Sequence, residues 1–319
     1  MQMWWREKHA HQTTSSWQPS REYLRTHAPE RYADPAEIPT NPQRNGKATE
    51  SAPSTIAKPG QMLSIDVGTG WDAGIKRKNR PNEDGLLVLN GICTHNDQLL
   101  PFGLLIVADG MGGHAHGQDA SMLAIQYMAQ SVLASLTDID DISGLFLLQM
   151  LMDGVQSANL AIYTCNRDNR IDMGTTITAA LVLDGIAYIV NVGDSRTYLY
   201  REAEGLIQAT RDHSLVARLV ESGAISPGEV YTHPERNKVY RCLGEKEEVE
   251  VDWFTRSLQE GDCLLLCSDG LWEMVRDQEI ARILKRHRAN PSQASSALVQ
   301  AALKAGGPDN ISVIVARLA

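Results

Sequence analysis

The segment from Val107 to His114 reads VADGMGGH and constrains this chain more than any other stretch. It places one carboxylate, Asp109, at the end of an apolar run, and glycines follow immediately. A short apolar run bounded by turn residues is typical of a buried strand, and glycine lets the backbone approach a ligand closely. A strand that ends in an acid beside such bare backbone is suited to holding a hard metal ion, which prefers oxygen ligands.

Three further acids stand in comparable positions: Asp84 in NRPNEDGLLVL, Asp269 in LLLCSDGLWE and Asp309 in GGPDNISVIV. An Asp beside Gly or Asn is most often only a turn residue, and Asp66 and Asp184 fit that interpretation. Four acids at four predicted strand edges together indicate chemistry instead. Three or four carboxylates and a backbone carbonyl suffice to hold two Mg²⁺ or Mn²⁺ ions about 3.5–4 Å apart, a pair that activates water for attack on a phosphoryl group.

Composition excludes several other classes of protein. The 319 residues carry a formal net charge of −9, which argues against a nucleic-acid-binding surface. The five cysteines are odd in number and show no zinc-site spacing, so we expect free thiols in a reducing, cytoplasmic compartment. The start of the chain does not read as a signal peptide, and no run approaches the ~18 apolar residues of a membrane span.

The first 60 residues differ from the rest of the chain. They hold seven of the 13 prolines and show no sustained apolar periodicity, which predicts a disordered or extended arm. Three of the six tryptophans, Trp4, Trp5 and Trp17, lie in this arm and leave open whether it docks on the body or on a partner. Residues 61–319 are predicted to form one domain.

The pattern of this domain predicts strands that occur as hairpins and long helices that come in consecutive pairs. Asp184-Gly185 is a strong hairpin signal between two β-rich runs. Such an order favours antiparallel sheets covered by helices over alternating parallel units. The predicted helices cover Gln118 to Leu136, Ile142 to Cys165, Ser214 to Ser222 and Pro291 to Lys304. The predicted strands include QMLSIDVGTG, entering a turn at its glycines, then DGLLVLN, FGLLIVAD, and finally Asn310 to Arg317.

Seven motifs occur in a fixed order along this domain: RPNED, VADGMGGH, MGTT, VGDSR, DHS, LLCSDGLWE and PDNISVIV. With them the chain resembles the metal-dependent protein serine/threonine phosphatases of the 2C type, bacterial branch, over about residues 61–319. The resemblance implies an α+β fold, a four-layer αββα sandwich of two antiparallel sheets flanked by helices. It also implies hydrolysis of phosphoserine and phosphothreonine in proteins by a metal-bridging water or hydroxide. Two Mn²⁺ or Mg²⁺ ions are implied, with a third as an option.

The resemblance also implies roles for individual residues. Asp84 and Glu83 are expected to support the second metal, partly through waters, and Asn310 to orient Asp309 or a water. Asp194 in VGDSR is expected to be structural, ending a strand and capping its turn. A third ion would take an acid ahead of GTT together with Asp269 of SDG; Asp172 is the first candidate for that acid and Asp168 the weaker alternative. The implied metal ligands are Asp84, Asp109, Gly110 through its carbonyl, Asp269 and Asp309.

One departure from the family pattern concerns the substrate phosphate. The family usually has an Arg five residues before the Asp of the NED motif, where this chain has Asn79. Arg80 is the first candidate for holding the phosphate, and therefore for a catalytic role, and Arg77 is the second. A guanidinium fork suits phosphate better than the neighbouring lysines do. The alternative is that KRKNR is simply a solvated basic run.

A second departure concerns the general acid, because Met111 replaces the His that eukaryotic relatives have in DGHGG. Protonation of the leaving group then falls to a water or to a nearby histidine. His114 is the first candidate for this catalytic role, and His116 and His213 are weaker ones. The alternative interpretation of His114 is packing or hydrogen bonding at the start of a helix.

Residues 211–248 match the flap that neighbours the site in this family and are expected to shape substrate access. The expected partners are phosphorylated proteins, with a Ser/Thr kinase or its substrates among them, and neither nucleic acid nor membrane; the chain is expected to be a monomer. One alternative is a phosphatase-like module that binds or regulates without catalysis, which the four surviving acids disfavour and the displaced Arg supports. Another is hydrolysis of small phosphate esters.

Overall fold

The computed structural model describes residues 64–112, 116–136 and 141–319, and the predicted arm of residues 1–60 lies outside this part. In the described part, the strands form two antiparallel sheets. The five-stranded sheet has the order β1-β11-β10-β7-β8 and the six-stranded sheet the order β2-β3-β5-β6-β9, with β4 paired to β3.

The strands of the five-stranded sheet come from both ends of the domain. They are β1 (Ile65–Asp72), β7 (Arg196–Arg201), β8 (Gly205–Gln208), β10 (Cys263–Cys267) and β11 (Ile311–Leu318). The strands of the six-stranded sheet are β2 (Asp84–His95), β3 (Gln98–Gly112), β4 (Met173–Thr175), β5 (Ile177–Leu183), β6 (Ile186–Val192) and β9 (Asp252–Ser257).

Helices cover the outer face of each sheet. Helices α1 (His116–Leu136) and α2 (Gly144–Asn169) pack on each other and on the six-stranded sheet. Helices α4 (Asp269–Trp272), α5 (Asp277–Arg286) and α6 (Pro291–Lys304) pack on the five-stranded sheet. A short helix α3 (Leu215–Glu221) and a 3₁₀ turn (Glu229–Tyr231) lie in the segment between β8 and β9.

Two apolar clusters account for this layering. One joins inner-face residues of both sheets, such as Leu105 and Ile189 of the six-stranded sheet with Leu264 and Ile314 of the five-stranded sheet. The other fills the space between the five-stranded sheet and α4–α6, where Trp272 is fully buried. Side chains alternate between the faces of a strand, so each sheet of the pair presents one face to its partner sheet and the other to helices. The predicted four-layer αββα fold is therefore confirmed.

Most predicted elements are found close to their predicted bounds. The Asp184-Gly185 hairpin joins β5 to β6, with Asp184 at a φ of +49°. Helix α6 begins at Pro291 as predicted, after Asn290, whose side chain accepts a hydrogen bond from the amide of Gln293. A capping side chain followed by Pro at the first helical position is a strong helix start.

The predicted turn at the glycines of IDVGTG is wrong, because β1 continues through them to Asp72. A Cβ on Gly68 would stand 2.2 Å from the backbone carbon of Pro291, and one on Gly70 would stand 2.7 Å from a methyl of Val299. These glycines therefore serve the close approach of α6 to β1 and do not make a turn.

Helix α2 is the one described helix that is long and apolar enough to cross a membrane by length and composition. Within the fold, 56% of its apolar window is buried, and one side packs on α1 and β6. This packing is that of a core helix in a layered domain.

Candidate metal centre

Four strand ends bring four acids to one end of the sandwich. Asp84 is the first residue of β2 and stands directly opposite Asp109 of β3. Asp269 follows β10 as the first residue of α4, and Asp309 lies just before β11. Because β10 and β11 are neighbours in the other sheet, the set combines two acids from each sheet.

A cavity of about 690 Å³ opens at this end of the molecule. Three of the four acids line it, while Asp84 is buried behind the wall, 5% exposed. Asp194, which follows β6, also lines the cavity. The complete lining is Arg77, Arg80, Pro81, Glu83, Asp109, Gly110, Met111, Gly112, Thr176, Asp194, Asn237, Val239, Asp269 and Asp309.

Asp84 is held by one serine and leaves one oxygen without a partner. Its Oδ2 accepts a hydrogen bond of 2.7 Å from the hydroxyl of Ser268, which in turn accepts one of 3.0 Å from the amide of Ser312. Its Oδ1 is buried and has no hydrogen-bond partner. Burial raises the pKa of Asp84 to about 6 despite the hydrogen bond from Ser268.

Asp109 is fixed through its backbone by two threonines. Its carbonyl accepts hydrogen bonds from the hydroxyl of Thr175 at 2.9 Å and from the amide of Thr176 at 2.9 Å. Its own amide donates to the Thr176 hydroxyl at 3.1 Å. Burial, and then the negative charges of Asp84 and Asp269, raise the pKa of Asp109 well above its usual range.

The pKa values of Asp269 and Asp194 are also raised by burial and by neighbouring negative charges. Burial, and then the charge of Asp194, raise the pKa of Asp269, whose Oδ1 is buried without a hydrogen-bond partner. Burial, and then the charge of Asp212, raise the pKa of Asp194 to about 7. The structure therefore places Asp194 among the acids of the site, in addition to its place at the end of a strand.

These carboxylates fit a site for hard divalent cations. Buried acids with unpartnered oxygens are costly unless a positive charge compensates them, and oxygen-only donor sets suit Mg²⁺ and Mn²⁺. Within the described residues, no three acidic, imidazole or thiol groups stand close enough together to hold an ion by themselves. An open arrangement suits ions that keep several of their waters.

Gly110 is required at its position by the main chain around it. A Cβ there would stand 2.0 Å from the carbonyl oxygen of Gly117 and 2.5 Å from that of Glu83. Its amide donates to the same Glu83 oxygen at 3.2 Å. Gly110 thus allows β3 to pack closely against the residue before β2 and the start of α1.

The two candidate arginines occupy different positions on the cavity. Arg77 is half-buried, and its guanidinium contacts Glu83 Oε2 and Asp309 Oδ2, each at 3.0 Å. Arg80 is exposed, with its amide bonded to the Arg77 carbonyl at 2.7 Å. Both line the cavity, but Arg77 is the one whose guanidinium reaches the acids.

Asn310 connects three segments of the site. Its Oδ1 accepts from the amide of Glu83 at 2.9 Å and its Nδ2 donates to the carbonyl of Ala73 at 2.9 Å. Its backbone amide donates to Asp309 Oδ1 at 2.7 Å. The expected orientation of Asp309 therefore involves the backbone of Asn310, while the Asn310 side chain holds the segment that carries Glu83.

Some predicted residues do not lie on the cavity. Asp172 and Asp168 are exposed and are not part of its lining. His116 lies in the first turn of α1, 4.0 Å from Asp119, and His213 is buried near Gly193. His114 falls outside the described residues, so its role stays a prediction.

Several contributors were not found from the sequence. Ser268 stands directly before Asp269 in the CSDG motif, and that adjacency was a signal for a supporting role. Thr176 follows the MGT run in the same way. Asn237 and Val239 lie in an irregular segment, and nothing local in the sequence places them on the cavity wall.

A family model described as protein phosphatase 2C matches residues 74–305. The chain therefore belongs to the protein phosphatase 2C family.

Individual relatives and solved structures agree with this. The chain is 38% identical over 216 residues to the serine/threonine phosphatase stp of Listeria monocytogenes serotype 4b, covering 66% of this chain and 83% of that protein. The crystal structure of the Mycobacterium tuberculosis serine/threonine phosphatase PstP/Ppp is similar, with a TM-score of 0.67, 37% identity and coverage of 80% and 99%. So is that of the PstP catalytic domain in complex with two manganese ions, with a TM-score of 0.66, 36% identity and the same coverage.

Proposed function

We propose that this chain hydrolyses phosphoserine and phosphothreonine in proteins and needs Mn²⁺ or Mg²⁺ to do so. The observation that carries the proposal is the convergence of four acids from four strand ends, with buried oxygens of Asp84 and Asp269 unpartnered. The relatives, which are named serine/threonine phosphatases, support the same substrate class. A kinase that phosphorylates the same proteins is the natural functional partner.

Two ions would be held by Asp84, Asp109, the Gly110 carbonyl, Asp269 and Asp309. When bound, such ions lower the pKa of water and stabilise charge on a phosphoryl group. The protein supplies the rigid frame. The threonine contacts fix the backbone of Asp109, and Ser268 fixes the carboxylate of Asp84. Glu83 and Asp194, both on the cavity, are proposed to act from just outside this ligand set.

Arg77 is proposed to orient the substrate phosphate. Its guanidinium lies at the cavity beside Glu83 and Asp309, whereas Arg80 is exposed at the rim. This supports Arg77 over Arg80, the reverse of the order that the sequence favours. A fork of donors at this point suits the planar arrangement of two phosphate oxygens.

The two arginines are separated by comparing Arg77→Gln, Arg80→Gln and Lys78→Gln. Arg77→Gln is expected to raise KM for a phosphopeptide about 10-fold or more, because a charged hydrogen-bond pair contributes about 1.5–3 kcal/mol. Arg80→Gln should resemble Lys78→Gln. A larger KM effect of Arg80→Gln than of Arg77→Gln would restore Arg80 as the phosphate-binding residue.

His114 remains the candidate that protonates the leaving alcohol, since none of the described residues that line the cavity is a histidine. A general acid matters most when the leaving group is a poor one. His114→Gln is therefore expected to lower kcat for a phosphoserine peptide much more than for nitrophenyl phosphate. Equal effects on both substrates would assign His114 to packing at the helix start.

The main experiment measures release of phosphate from a phosphothreonine peptide with added Mn²⁺, and again with excess chelator. Hydrolysis that depends on the metal supports the proposal. Full activity with excess chelator would reject it, and binding of the phosphopeptide without hydrolysis under any metal would favour the non-catalytic module. Turnover of small phosphate esters without turnover of the phosphopeptide would favour an enzyme that acts on small phosphate esters.

A further inference from the structure

The flap, residues 211–248, leaves the body of the domain at His213 and returns to it at Arg241. Its two legs pair with each other before they separate. The amide of Leu215 donates to the carbonyl of Lys238 at 2.8 Å, and that of Tyr240 donates to the carbonyl of His213 at 2.9 Å. The base of the flap is therefore a single antiparallel bridge between Ser214 and Val239, and His213 and Arg241 lie beside it.

His213 attaches the entering leg to the turn after β6. Its amide donates to the carbonyl of Gly193 at 2.9 Å, and its Nδ1 accepts from the amide of Gly193 at 3.0 Å. The other ring nitrogen, Nε2, lies 2.9 Å from Arg241 Nη1. That nitrogen faces Asp252 Oδ2 at 3.3 Å, and the imidazole is only 1% exposed.

Arg241 attaches the returning leg to the same carboxylate. Its Nη1 donates to Asp252 Oδ1 at 2.8 Å, so the two oxygens of Asp252 serve the two legs. Although burial alone would raise it, the pKa of Asp252 is lowered by its contacts with His213 and Arg241. Asp252 itself is the first residue of β9, and it is paired with Asn191 of β6 in the sheet.

This base lies between two parts of the catalytic cavity. On one side, the flap carries Asn237 and Val239, which form part of the cavity wall. On the other side, Gly193 directly precedes Asp194 on the cavity. Gly193 has a φ of +103°, a conformation that costs little only for glycine, so the contacts from His213 define a turn that few residues could make.

We propose that His213, Arg241 and Asp252 form a flap anchor, a set of positioning residues that holds the flap wall at a fixed distance from the metal centre. None of the three lines the cavity, so none is expected to contact substrate. The proposal rests on the phosphatase function proposed above. Its consequence is selective: a phosphoprotein must fit against Asn237 and Val239, whereas a small phosphate ester needs only the metal centre.

The test compares Asp252→Asn with a matched control, Glu250→Gln. Both residues bind Arg241, but the Glu250 side chain is 56% exposed and does not contact His213. We expect Asp252→Asn to raise KM for a phosphothreonine peptide about 10-fold, since small misplacements of a substrate-positioning group are costly. Its kcat for nitrophenyl phosphate should stay within about 2-fold of wild type, and Glu250→Gln should change neither.

Two further measurements separate positioning from loss of fold. Limited proteolysis should cut Asp252→Asn within residues 211–248 sooner than wild type, while the thermal midpoint of the body stays measurable and cooperative. Arg241→Gln should raise KM for the phosphothreonine peptide. Arg241→Lys should raise it less, because lysine restores one donor to Asp252. If Asp252→Asn does not fold, the Arg241→Lys and Arg241→Gln pair decides the question by the same KM comparison.

The possible results divide clearly. An unchanged peptide KM with an unchanged proteolysis pattern would overturn the flap anchor, and so would an equal loss of turnover on both substrates. Wild-type protein that hydrolyses neither substrate with Mn²⁺ would instead reject the proposed phosphatase function.

Discussion

The acidic end of the sandwich and the flap are held in place by different physical means. The acids stand on strand ends, and Asp84 and Asp194 are only 5% and 3% exposed. The flap has one short helix and a 3₁₀ turn, and ion pairs such as Arg211–Glu221 are 60% and 53% exposed. Exposed pairs of this kind contribute about 0–1 kcal/mol each.

The difference indicates which step of the reaction each region affects. The acidic end brings like charges together in a rigid frame, which destabilises the metal-free protein and prepares a strong cation site. The flap has little regular structure of its own and is held by the contacts at its base and by the packing of Val216 and Val230 in the cluster beside the five-stranded sheet. Substitutions at the two places should therefore act on different quantities, turnover at the acidic end and substrate fit at the flap.

The largest effect is expected at Asp109. Asp109→Asn should lower kcat/KM for a phosphopeptide by about 10³-fold or more, as losses of preorganised electrostatic groups reach that range. The same change removes a buried negative charge beside Asp84 and Asp269, so the thermal midpoint of the chelated protein should rise or stay level. Phosphate release and calorimetry measure the two quantities.

Asp184→Asn is the matched control for that change. Asp184 lies in the hairpin turn with a φ of +49°, a conformation that Asn also adopts readily. It should leave both turnover and the thermal midpoint near wild type. Comparable loss of turnover in the two variants would mean that removal of any Asp disturbs the fold, and the assignment of Asp109 to the metal centre would fall.

A pair of glycine substitutions tests the contrast in rigidity. Gly110→Ala should destabilise the protein by about 3 kcal/mol or more, because its Cβ meets backbone atoms that cannot move independently. In the flap, a Cβ on Gly223 would meet no atom within 4 Å, and only the φ of +73° is unfavourable for alanine. Gly223→Ala is therefore expected to lower the free energy of unfolding by about 1 kcal/mol. Chemical denaturation checks both, and equal costs would contradict the difference between the regions.

The sequence anticipated the acidic end well because its signals are local. Asp109, Asp269 and Asp309 each stand beside an apolar strand, and a strand with a turn residue at its edge is readable within ten residues. The sandwich brings such edges together, so predicting the strands went far toward predicting the site. The glycines of β1 were misread because their reason, the approach of α6, lies more than 200 residues away.

The flap itself was expected at residues 211–248, but the contacts at its base were not anticipated, for the same reason. Asp252 lies 39 residues beyond His213 in the sequence, and no period or motif joins them. No local pattern decides between Arg77 and Arg80 either, because the answer depends on where each side chain points from the same turn. Local patterns indicate elements, whereas ion pairs between distant segments appear only after the fold brings them together.

Stability of the metal-free protein should depend on pH in a direction set by the acids. Burial raises the pKa of Asp194 from its ordinary 3.8 to about 7, so the folded state holds that proton more tightly than the unfolded state. The contribution to stability is present below about pH 4 and is lost as the pH rises through about 7. The thermal midpoint of chelated protein should therefore fall between about pH 5 and about pH 8.

Asp194→Asn is the comparison for this effect, because it removes the titrating group and keeps its shape. The difference between wild type and variant should grow in favour of the variant as the pH rises. Added Mn²⁺ should reduce the fall for wild type, since bound cations replace the protons. A difference that stays constant with pH would contradict the raised pKa of Asp194.

The smallest effect is expected at the basic rim beside the cavity. Lys76 and Lys78 are exposed, and they flank Arg77 on a turn whose other cavity residue, Arg80, is also basic. The two cavity residues that the flap contributes, Asn237 and Val239, are uncharged. A phosphopeptide with acidic residues next to the phosphate should thus bind better on the rim side than one with neutral residues.

The double change Lys76→Gln and Lys78→Gln should lower kcat/KM for the acidic phosphopeptide about 2- to 5-fold, the range of one or two exposed charge pairs. The neutral phosphopeptide should be affected less, and added salt should diminish the difference because it screens exposed charges. Lys285→Gln, on helix α5, is the control for net charge. If it has the same effect as the double change, the overall charge of the protein and not the rim would set the preference, and the contrast between a basic wall and a neutral flap wall would have no consequence for substrates.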